Sequence, residues 1–319
     1  MSEKQQTPLK ILTTLPEVAL QRLIDEVGNV EIITLPEGGG AMPEGMEGEV
    51  LIMPPWDPGN LAEILSRGVK WIHTIGTGVD KMPMDIVGDT LLTCARGASS
   101  IPISEWVIAS MLAFEKQFPE TWLSAPPEQW GQANLGSLRG KTLGLIGFGG
   151  IGTMTAEYAQ VFGMKVIAYR RSNKPAEVED VDIVDDINQV MSQSDHIILA
   201  LPLTPESRHC INRETLASIP EGAGVHFCNP SRGGLVDHDA LQEAIEDGRI
   251  ARASLDTVEP EPLPEGHWMY SHPKVKHTAH ISWAMPEAFG LLIDTFIRNV
   301  ICYQKGETLE GVVDKDNVY

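Results

Sequence analysis

The chain has 319 residues, 42% of them hydrophobic, which is enough for two domains with ordinary apolar cores. Its 24 basic and 44 acidic residues give a net charge of −20, which disfavours nucleic acid and anionic membranes as partners. No apolar run reaches the length of a membrane span and the first residues do not resemble a secretory signal peptide, so we expect a cytoplasmic protein.

The N-terminal third alternates short apolar strands with helical segments, the pattern of a parallel sheet covered on both faces. A helix is predicted to open at Pro16, where the missing N–H of proline costs nothing. A loop rich in glycine and proline, 35–48, interrupts this region. The predicted strands are Leu9–Thr13, Glu31–Thr34, Val50–Met53, Trp71–Ile75 and Leu91–Thr93.

A change of composition at 97–102 leads into a second α/β region. It opens with a long helix predicted from Ser104 to about Phe118, with the Ser104 hydroxyl as the N-cap. A last helix, Pro286–Gln304, is expected to pack on the N-terminal region. The further predicted strands are Lys165–Tyr169, Asp182–Val184, His196–Ala200, Val225–Asn229, Ala251–Asp256 and Val275–Ala279, and a helix is predicted at His238–Asp247.

These patterns predict two Rossmann-like, doubly wound α/β domains with parallel sheets. The first domain is predicted to be discontinuous, 1–101 plus 286–319. The second domain is predicted at 102–285.

The most informative motif is TLGLIGFGGIG at 142–152, an apolar strand that runs into a GxGxxG turn and then a helix. Gly147 permits a tight turn, Gly149 lets the backbone approach a pyrophosphate, and Gly152 lets the helix pack closely on the strand. The alternative is a glycine turn without a ligand. The predicted apolar side of the helix, which closes at Gly163, carries Ala156, Ala159, Val161 and Phe162. Cofactor contacts are predicted at Gly147, Phe148, Gly149, Gly150, Ile151 and Gly152.

The end of the next strand bears on the choice between NAD and NADP. An NAD site usually has an acid there for the ribose 2′-hydroxyl, but this chain has Arg170, Arg171 and Ser172. Two guanidinium groups and a hydroxyl suit a 2′-phosphate, so NADP(H) is the preferred cofactor and NAD(H) a possible one. The alternative is an ordinary solvated basic loop.

Three later strand ends carry residues that could react. They present Arg232, then Asp256 with Glu259 and Glu261, then His280. Ligands of open α/β sheets bind at the carboxyl ends of strands, so this set suits the reduction of a carbonyl beside a carboxylate. The arginine would bind the carboxylate, the histidine would donate a proton, and the glutamate would orient the imidazole. Each has a plain alternative: a surface ion pair for Arg232, solvated charge for Glu261, a half-buried structural histidine for His280.

The segments GLIGFGGIG, NPSRGGLVDHDAL, SLDTVEPEPLP and TAHISW resemble the successive signatures of the D-isomer-specific 2-hydroxyacid dehydrogenase family. The likeness extends to IGTGVDKM (75–82) and ISEWVIASMLA (103–113), and so spans nearly the whole chain. It implies that Arg232 binds the substrate carboxylate and that Glu261 and His280 form the acid/base pair. It also implies that 1–101 plus 286–319 is the substrate domain, that 102–285 is the dinucleotide-binding domain and that an active-site cleft lies between them. A homodimer with an interface at 104–135 is implied as well.

The resemblance implies further site residues. The backbone of Thr77 and Gly78 would cap the substrate carboxylate, and Trp283 would wall the substrate pocket, unless it is only a core aromatic. Two positions depart from the usual pattern: Ala279 replaces a proline, and Arg170 resembles the NADPH-using glyoxylate and hydroxypyruvate reductases. Positions that would flank the ribose and nicotinamide are Leu201, Pro202, Asn229, Ser231 and Asp256.

The sequence therefore predicts NADPH-dependent reduction of a small 2-oxo acid, such as glyoxylate or hydroxypyruvate, to the D-2-hydroxy acid. One alternative is another activity of the family, such as oxidation of phosphite or NAD-dependent conversion of a larger 2-oxo acid. A non-catalytic, dinucleotide-sensing corepressor is a further alternative. No metal site is predicted, because the histidines between His267 and His280 lack the spacing of metal ligands.

Overall fold

A computed structural model of the chain describes residues 7–171, 176 and 178–315. The chain divides into two compact units, Met1–Ser99 with Met285–Tyr319, and Ser100–Ala284. Each unit holds a parallel sheet with helices, as the predicted fold class requires. No helix in the described ranges combines the length and the apolar content that a membrane crossing needs.

The sheet of the first unit has five parallel strands in the order β2-β1-β3-β4-β5. This is a doubly wound order, in which α-helices make every connection except that from β2 to β3, which is a loop with one 3₁₀ turn. The strands are β1 (Leu9–Thr13), β2 (Val30–Thr34), β3 (Val50–Met53), β4 (Trp71–Thr74) and β5 (Leu91–Cys94), and the helices are α1 (Gln21–Val27), α2 (Leu61–Leu65) and α3 (Met84–Val87).

The helix start predicted at Pro16 is wrong. Pro16 has a φ of −63°, which suits a helix, but its ψ of 140° is extended. A 3₁₀ turn, Glu17–Leu20, follows it, and α1 begins only at Gln21. The fixed φ of proline is compatible with both conformations, so the residue alone does not place the first turn.

The second unit contains a seven-stranded parallel sheet in the order β12-β11-β10-β9-β6-β7-β8. The strand order reverses between β6 and β9, which is where open α/β sheets bind dinucleotides. The strands are β6 (Thr142–Ile146), β7 (Lys165–Tyr169), β8 (Val181–Val184), β9 (His196–Leu199), β10 (Val225–Asn229), β11 (Ile250–Leu255) and β12 (Val275–His277). The helices are α4 (Ser100–Glu115), α5 (Gly150–Val161), α6 (Ile187–Gln193), α7 (Arg213–Ala217) and α8 (His238–Glu246), with 3₁₀ turns at Gly233–Leu235 and Trp268–Tyr270.

The N-cap role predicted for Ser104 is also wrong. Helix α4 begins at Ser100, and it accommodates Pro102 because the first N–H groups of a helix need no intrahelical acceptor. Ser104 is fully buried inside the helix. Its Oγ donates to the Ile151 carbonyl at 3.2 Å and accepts from Thr155 Oγ1 at 3.0 Å, so it fastens α4 to the start of α5.

The apolar side predicted for α5 is correct only in part. Ala156 and Ala159 are fully buried, whereas Val161 is 85% exposed and Phe162 is 40% exposed. The buried positions Gly152, Thr155, Ala156 and Ala159 follow the helical repeat. Val161 lies on the opposite side of the helix, and Phe162 lies beyond its last residue.

A last helix, α9 (Ala288–Lys305), belongs to the first unit. Its Ile293, Phe296 and Val300 are buried in one cluster with Trp71 of β4. Tyr303 stacks on the Trp71 indole at a ring distance of 5.1 Å and donates its hydroxyl to Glu49 Oε1 at 2.8 Å. The C-terminal segment thus completes the core on one face of the first sheet.

Candidate active site

Three neighbouring strands of the second unit bring the predicted reactive residues to one edge of its sheet. β10 leads to Arg232, β11 leads to Asp256 and Glu261, and β12 leads to His280. Because β10, β11 and β12 are adjacent and parallel, their carboxyl ends lie side by side.

His280 and Glu261 form a direct pair, with Nδ1 of the imidazole 3.1 Å from Oε2 of the carboxylate. The two side chains are 38% and 30% exposed, so solvent and small molecules reach them. The carboxylate can only accept, which makes Nδ1 the donor in this contact. Nε2 is then the ring nitrogen left for a substrate, as an acid/base histidine requires.

The backbone of His280 is held in an unusual conformation by Asp256. The φ of His280 is 54°, in the left-handed region that few residues other than glycine adopt. The carboxylate of Asp256, almost fully buried, accepts from Thr278 Oγ1 at 2.5 Å, from Ile281 N at 2.8 Å and from Ser282 N at 2.9 Å. Asp256, predicted to flank the cofactor, therefore also holds the turn that presents the histidine.

The loop that carries Arg232 is braced by two other predicted site residues. Asn229 donates from Nδ2 to the Arg232 carbonyl at 2.8 Å and accepts from Ser231 N at 3.0 Å. Ser231 donates its hydroxyl to the Leu199 carbonyl at 2.9 Å, and Arg232 Nη1 donates to the Ser231 carbonyl at 2.8 Å. Asn229 and Ser231 are both buried, so their side chains shape this loop.

The glycine turn after β6 fits a pyrophosphate. Gly147 has a φ of 106°, and a Cβ there would overlap the Ala200 carbonyl. At Gly152 a Cβ would lie 2.6 Å from the Gly147 carbonyl oxygen, while at Gly149 it would meet nothing within 4 Å. Gly147 and Gly152 thus allow the backbone segments to pack closely, and Gly149 faces open space.

The remaining residues of the turn offer backbone groups to a cofactor. Gly150 and Ile151 begin α5, whose first N–H groups suit a phosphate. The Phe148 side chain is buried in the core, so only its backbone is available to a cofactor.

The charge of the basic loop after β7 acts on an acidic residue that the sequence did not indicate. Arg170 and Arg171 follow the strand directly, whereas Ser172 lies outside the described residues. Backbone hydrogen bonding and a hydrogen bond from Thr204 lower the pKa of Glu206, and the charge of Arg171 lowers it further. Glu206 lies in the loop after β9. Leu201 and Pro202 open the same loop.

The other predicted substrate contacts have clear local surroundings. Thr77 and Gly78 follow β4 in the first unit, in a loop where a Cβ on Gly76 would lie 2.7 Å from Cγ of Pro55. Trp283 is 43% exposed, which is not the environment of a core aromatic. Its Nε1 donates to the His280 carbonyl at 2.9 Å, so the indole is fixed beside the histidine.

A buried polar network that the sequence did not predict connects α4 and the residue before β6 with β9, β10 and β11. Glu115 Oε1 accepts from Lys141 Nζ at 2.5 Å and contacts His196 Nε2 at 3.0 Å, and Nδ1 of His196 lies 3.1 Å from Nδ1 of His226. His226 Nε2 contacts Ser254 Oγ at 2.9 Å. Burial lowers the pKa of His226 well below its ordinary value, and the positive neighbours add to this. The pairs are distant in sequence, so local patterns could not reveal them.

Comparisons with known proteins identify the family of the second unit. The family described as "D-isomer specific 2-hydroxyacid dehydrogenase, NAD binding domain" matches residues 108–282. A D-3-phosphoglycerate dehydrogenase of Methanocaldococcus jannaschii is 32% identical over 97% of this chain, which spans 60% of that relative's length. A hydroxypyruvate reductase of Thermotoga maritima is 35% identical to this chain. The match covers 71% of this chain and 76% of the length of that relative.

A solved structure shows the same fold. It is the NADPH-dependent glyoxylate/hydroxypyruvate reductase of Sinorhizobium meliloti in complex with NADP and sulfate, which is 23% identical to this chain with a TM-score of 0.81. The match covers 98% of this chain and all of the other. The chain belongs to the D-isomer specific 2-hydroxyacid dehydrogenase family of NAD(P)-dependent enzymes, with the NAD-binding domain of that family in its second unit.

Proposed function

We propose that the protein reduces a small 2-oxo acid of the glyoxylate or hydroxypyruvate class to the D-2-hydroxy acid, with NADPH as the preferred cofactor. The observation that carries the proposal is the His280–Glu261 pair at 3.1 Å. Its residues follow β12 and β11, and β10, the next strand of the sheet, leads to Arg232. The named relative that reduces hydroxypyruvate supports the substrate class.

In this proposal Arg232 binds the substrate carboxylate, since a guanidinium matches a carboxylate with two parallel hydrogen bonds. The arginine also polarises the neighbouring carbonyl. The Trp283 indole lines the pocket and restricts the substituent on the reacting carbon.

His280 donates a proton from Nε2 to the carbonyl oxygen and takes it back in the reverse direction. Glu261 fixes the ring through Nδ1 and stabilises its protonated form, because an opposite charge favours the imidazolium. Asp256 holds the backbone of the histidine turn while the ring changes its charge.

The residues present fit a nicotinamide dinucleotide, which would supply the hydride when bound. Gly147, Gly149 and Gly152 would hold the pyrophosphate at the start of α5. Arg170 and Arg171 would bind a 2′-phosphate, with Ser172 as the third member of the predicted set. Leu201, Pro202, Asn229 and Ser231 would line the cofactor site near the ribose and nicotinamide.

Initial rates with NADPH and NADH, measured in parallel against several acids, test the proposal. The acids are glyoxylate, hydroxypyruvate, pyruvate, phenylpyruvate and 3-phosphohydroxypyruvate, the last chosen because a relative is named a D-3-phosphoglycerate dehydrogenase. We expect the highest kcat/KM with NADPH and the small acids. Higher efficiency with NADH would contradict the cofactor preference alone. Inactivity with all five would contradict the reductase proposal and favour phosphite oxidation or cofactor binding without catalysis.

We further propose a homodimer in which 104–135 forms the interface. Trp122 and Trp130 are 69% and 82% exposed, and such large apolar surfaces mark protein contacts. Light scattering should give twice the chain mass of 34.9 kDa. A monomer at micromolar concentration would contradict the proposal.

A further inference from the structure

One ion pair joins the loop after β9 to the loop after β11. Arg208 Nη1 lies 2.7 Å from Glu259 Oε2, and Nη2 lies 2.8 Å from Oε1. This is the two-pronged geometry in which a guanidinium fixes the orientation of a carboxylate as well as its distance. Glu259 is one of the candidates at the strand end that carries Glu261, whereas nothing in the sequence indicates Arg208 as its partner.

Glu259 lies where the loops of Glu261 and Arg232 meet. It stands two residues before Glu261, whose Oε1 accepts from Val258 N at 3.4 Å. A Cβ on Gly234, two residues after Arg232, would lie 3.2 Å from Glu259 Oε2. A Cβ on the neighbouring Gly233 would overlap the Val258 backbone, so the two loops pack face to face.

The backbone around Arg208 is attached to the loop of Arg232. His209 N donates to the Gly234 carbonyl at 2.9 Å, and Ile211 N donates to the Leu235 carbonyl at 3.0 Å. The Arg208 guanidinium then reaches across to Glu259. Three strand-end loops are thereby tied together, two by backbone hydrogen bonds and the third by the ion pair.

The exposure of the pair indicates a geometric role. The side chains of Arg208 and Glu259 are 48% and 41% exposed, and ion pairs so accessible to water contribute little to the stability of a fold. The hydrogen bond from Arg208 lowers the pKa of Glu259, so the carboxylate keeps its charge at neutral pH.

We infer that Arg208 and Glu259 are a positioning pair for the reduction: they hold the loops of Arg232 and Glu261 in the arrangement that catalysis needs, without touching the substrate. The inference rests on the proposed function, because it assigns Arg232 to the substrate carboxylate and Glu261 to His280. Small displacements of such groups slow a reaction far more than they weaken a fold.

The test compares Arg208→Gln and Glu259→Gln with a matched control in the same unit. Arg213 and Glu243 form an equally two-pronged pair, at 2.8 and 2.7 Å and 61% and 57% exposed, between α7 and α8. We expect Arg208→Gln and Glu259→Gln to lower kcat/KM for the preferred 2-oxo acid by roughly tenfold or more and to change the pH dependence of kcat. Arg213→Gln should change neither. All variants should melt within a few degrees of the wild type.

The exchanged double variant, Arg208→Glu with Glu259→Arg, separates positioning from folding. It should recover part of the lost rate, because the pair is restored with its charges reversed. The inference is overturned if the two single variants match Arg213→Gln in rate and pH profile. It is also overturned if every loss of rate comes with a loss of melting temperature and the exchanged double variant restores neither the rate nor the melting temperature. A wild type inactive on every 2-oxo acid would overturn the proposed function, and this inference with it.

Discussion

At the scale of single residues, the two ring nitrogens of His280 have different tasks. Nδ1 faces the Glu261 carboxylate at 3.1 Å, which leaves Nε2 for the substrate. The positive φ of the residue places the imidazole on a tight turn, and the three hydrogen bonds accepted by Asp256 keep that turn in place. In a flexible turn, the distance between Nε2 and the carbonyl oxygen of the substrate would vary.

Glu261→Gln tests the role of the carboxylate charge. Glutamine keeps the shape and can still accept from Nδ1, but it no longer stabilises the imidazolium. We expect kcat for reduction to fall by about tenfold or more, and the rate to be lost at lower pH than in the wild type. Rates from pH 5 to 9 check this. An unchanged pH profile would show that the charge of Glu261 has no part in proton transfer.

Glu206→Gln tests the electrostatics of the basic loop. The charge of Arg171 helps to lower the pKa of Glu206, so we expect this carboxylate to compete with a 2′-phosphate at the arginine. Its removal should lower the KM for NADPH by about two- to fivefold, the range of an exposed ion pair, and leave the KM for NADH unchanged. Glu214→Gln, an exposed acid on α7, is the control. Equal changes for both cofactors would contradict a 2′-phosphate site at Arg171.

At the scale of elements, β4 holds a buried histidine that links stability to pH. Burial lowers the pKa of His73 from 6.5 to about 3. Its Nδ1 lies 2.7 Å from Thr93 Oγ1, and its Nε2 has no hydrogen-bond partner. The unfolded chain therefore binds a proton below pH 6.5 that the folded chain does not, so stability is complete above pH 6.5 and declines as the pH falls towards 3.

His73→Phe should remove this dependence. Each pH unit below 6.5 costs the wild type about 1.4 kcal/mol through this one group. In the variant, Thr93 keeps its contacts with Trp71 Nε1 at 2.8 Å and the Ile72 carbonyl at 3.4 Å. We expect urea unfolding between pH 6.5 and 4.5 to show a shallower loss of stability in the variant. Parallel curves for the two proteins would mean that His73 is not buried neutral.

The elements also show what the sequence could and could not predict. Strands and their ends follow from short apolar runs, so the sequence alone predicts that the residues after β10, β11 and β12 lie at one sheet edge. Helix starts are less secure, because Pro16 and Ser104 suit more than one position in a first turn. The exposure of Val161 shows that an apolar residue does not by itself mark the buried face.

Side-chain pairs between distant loops lie beyond such reasoning. The Arg208–Glu259 pair and the turn held by Asp256 join residues far apart in sequence. Periodicity and turn chemistry are local signals, and they carry no information on which loops meet. The family resemblance assigns Asp256 to the cofactor, whereas its hydrogen bonds to the histidine turn arise only when the loops after β11 and β12 meet in the folded chain.

At the scale of the whole molecule, the chain combines two parallel α/β units whose strand orders differ. The second unit carries the glycine turn, the arginine loop, Arg232, Glu261 and His280, so the proposed cofactor site and proton donor share one sheet. Hydride and proton delivery are therefore proposed to depend on the second unit.

The most direct test of the proposed chemistry compares His280→Ala with His277→Ala. His277 ends β12 three residues earlier, with its ring 4.9 Å from that of Tyr270, and has no proposed part in the reaction. With NADPH and the preferred 2-oxo acid, we predict that His280→Ala lowers kcat by about 10²- to 10⁴-fold and leaves the Kd for NADPH unchanged. His277→Ala should keep most of the wild-type rate. Comparable kcat in His280→Ala and wild type would contradict His280 as the proton donor, and with it the proposed reduction.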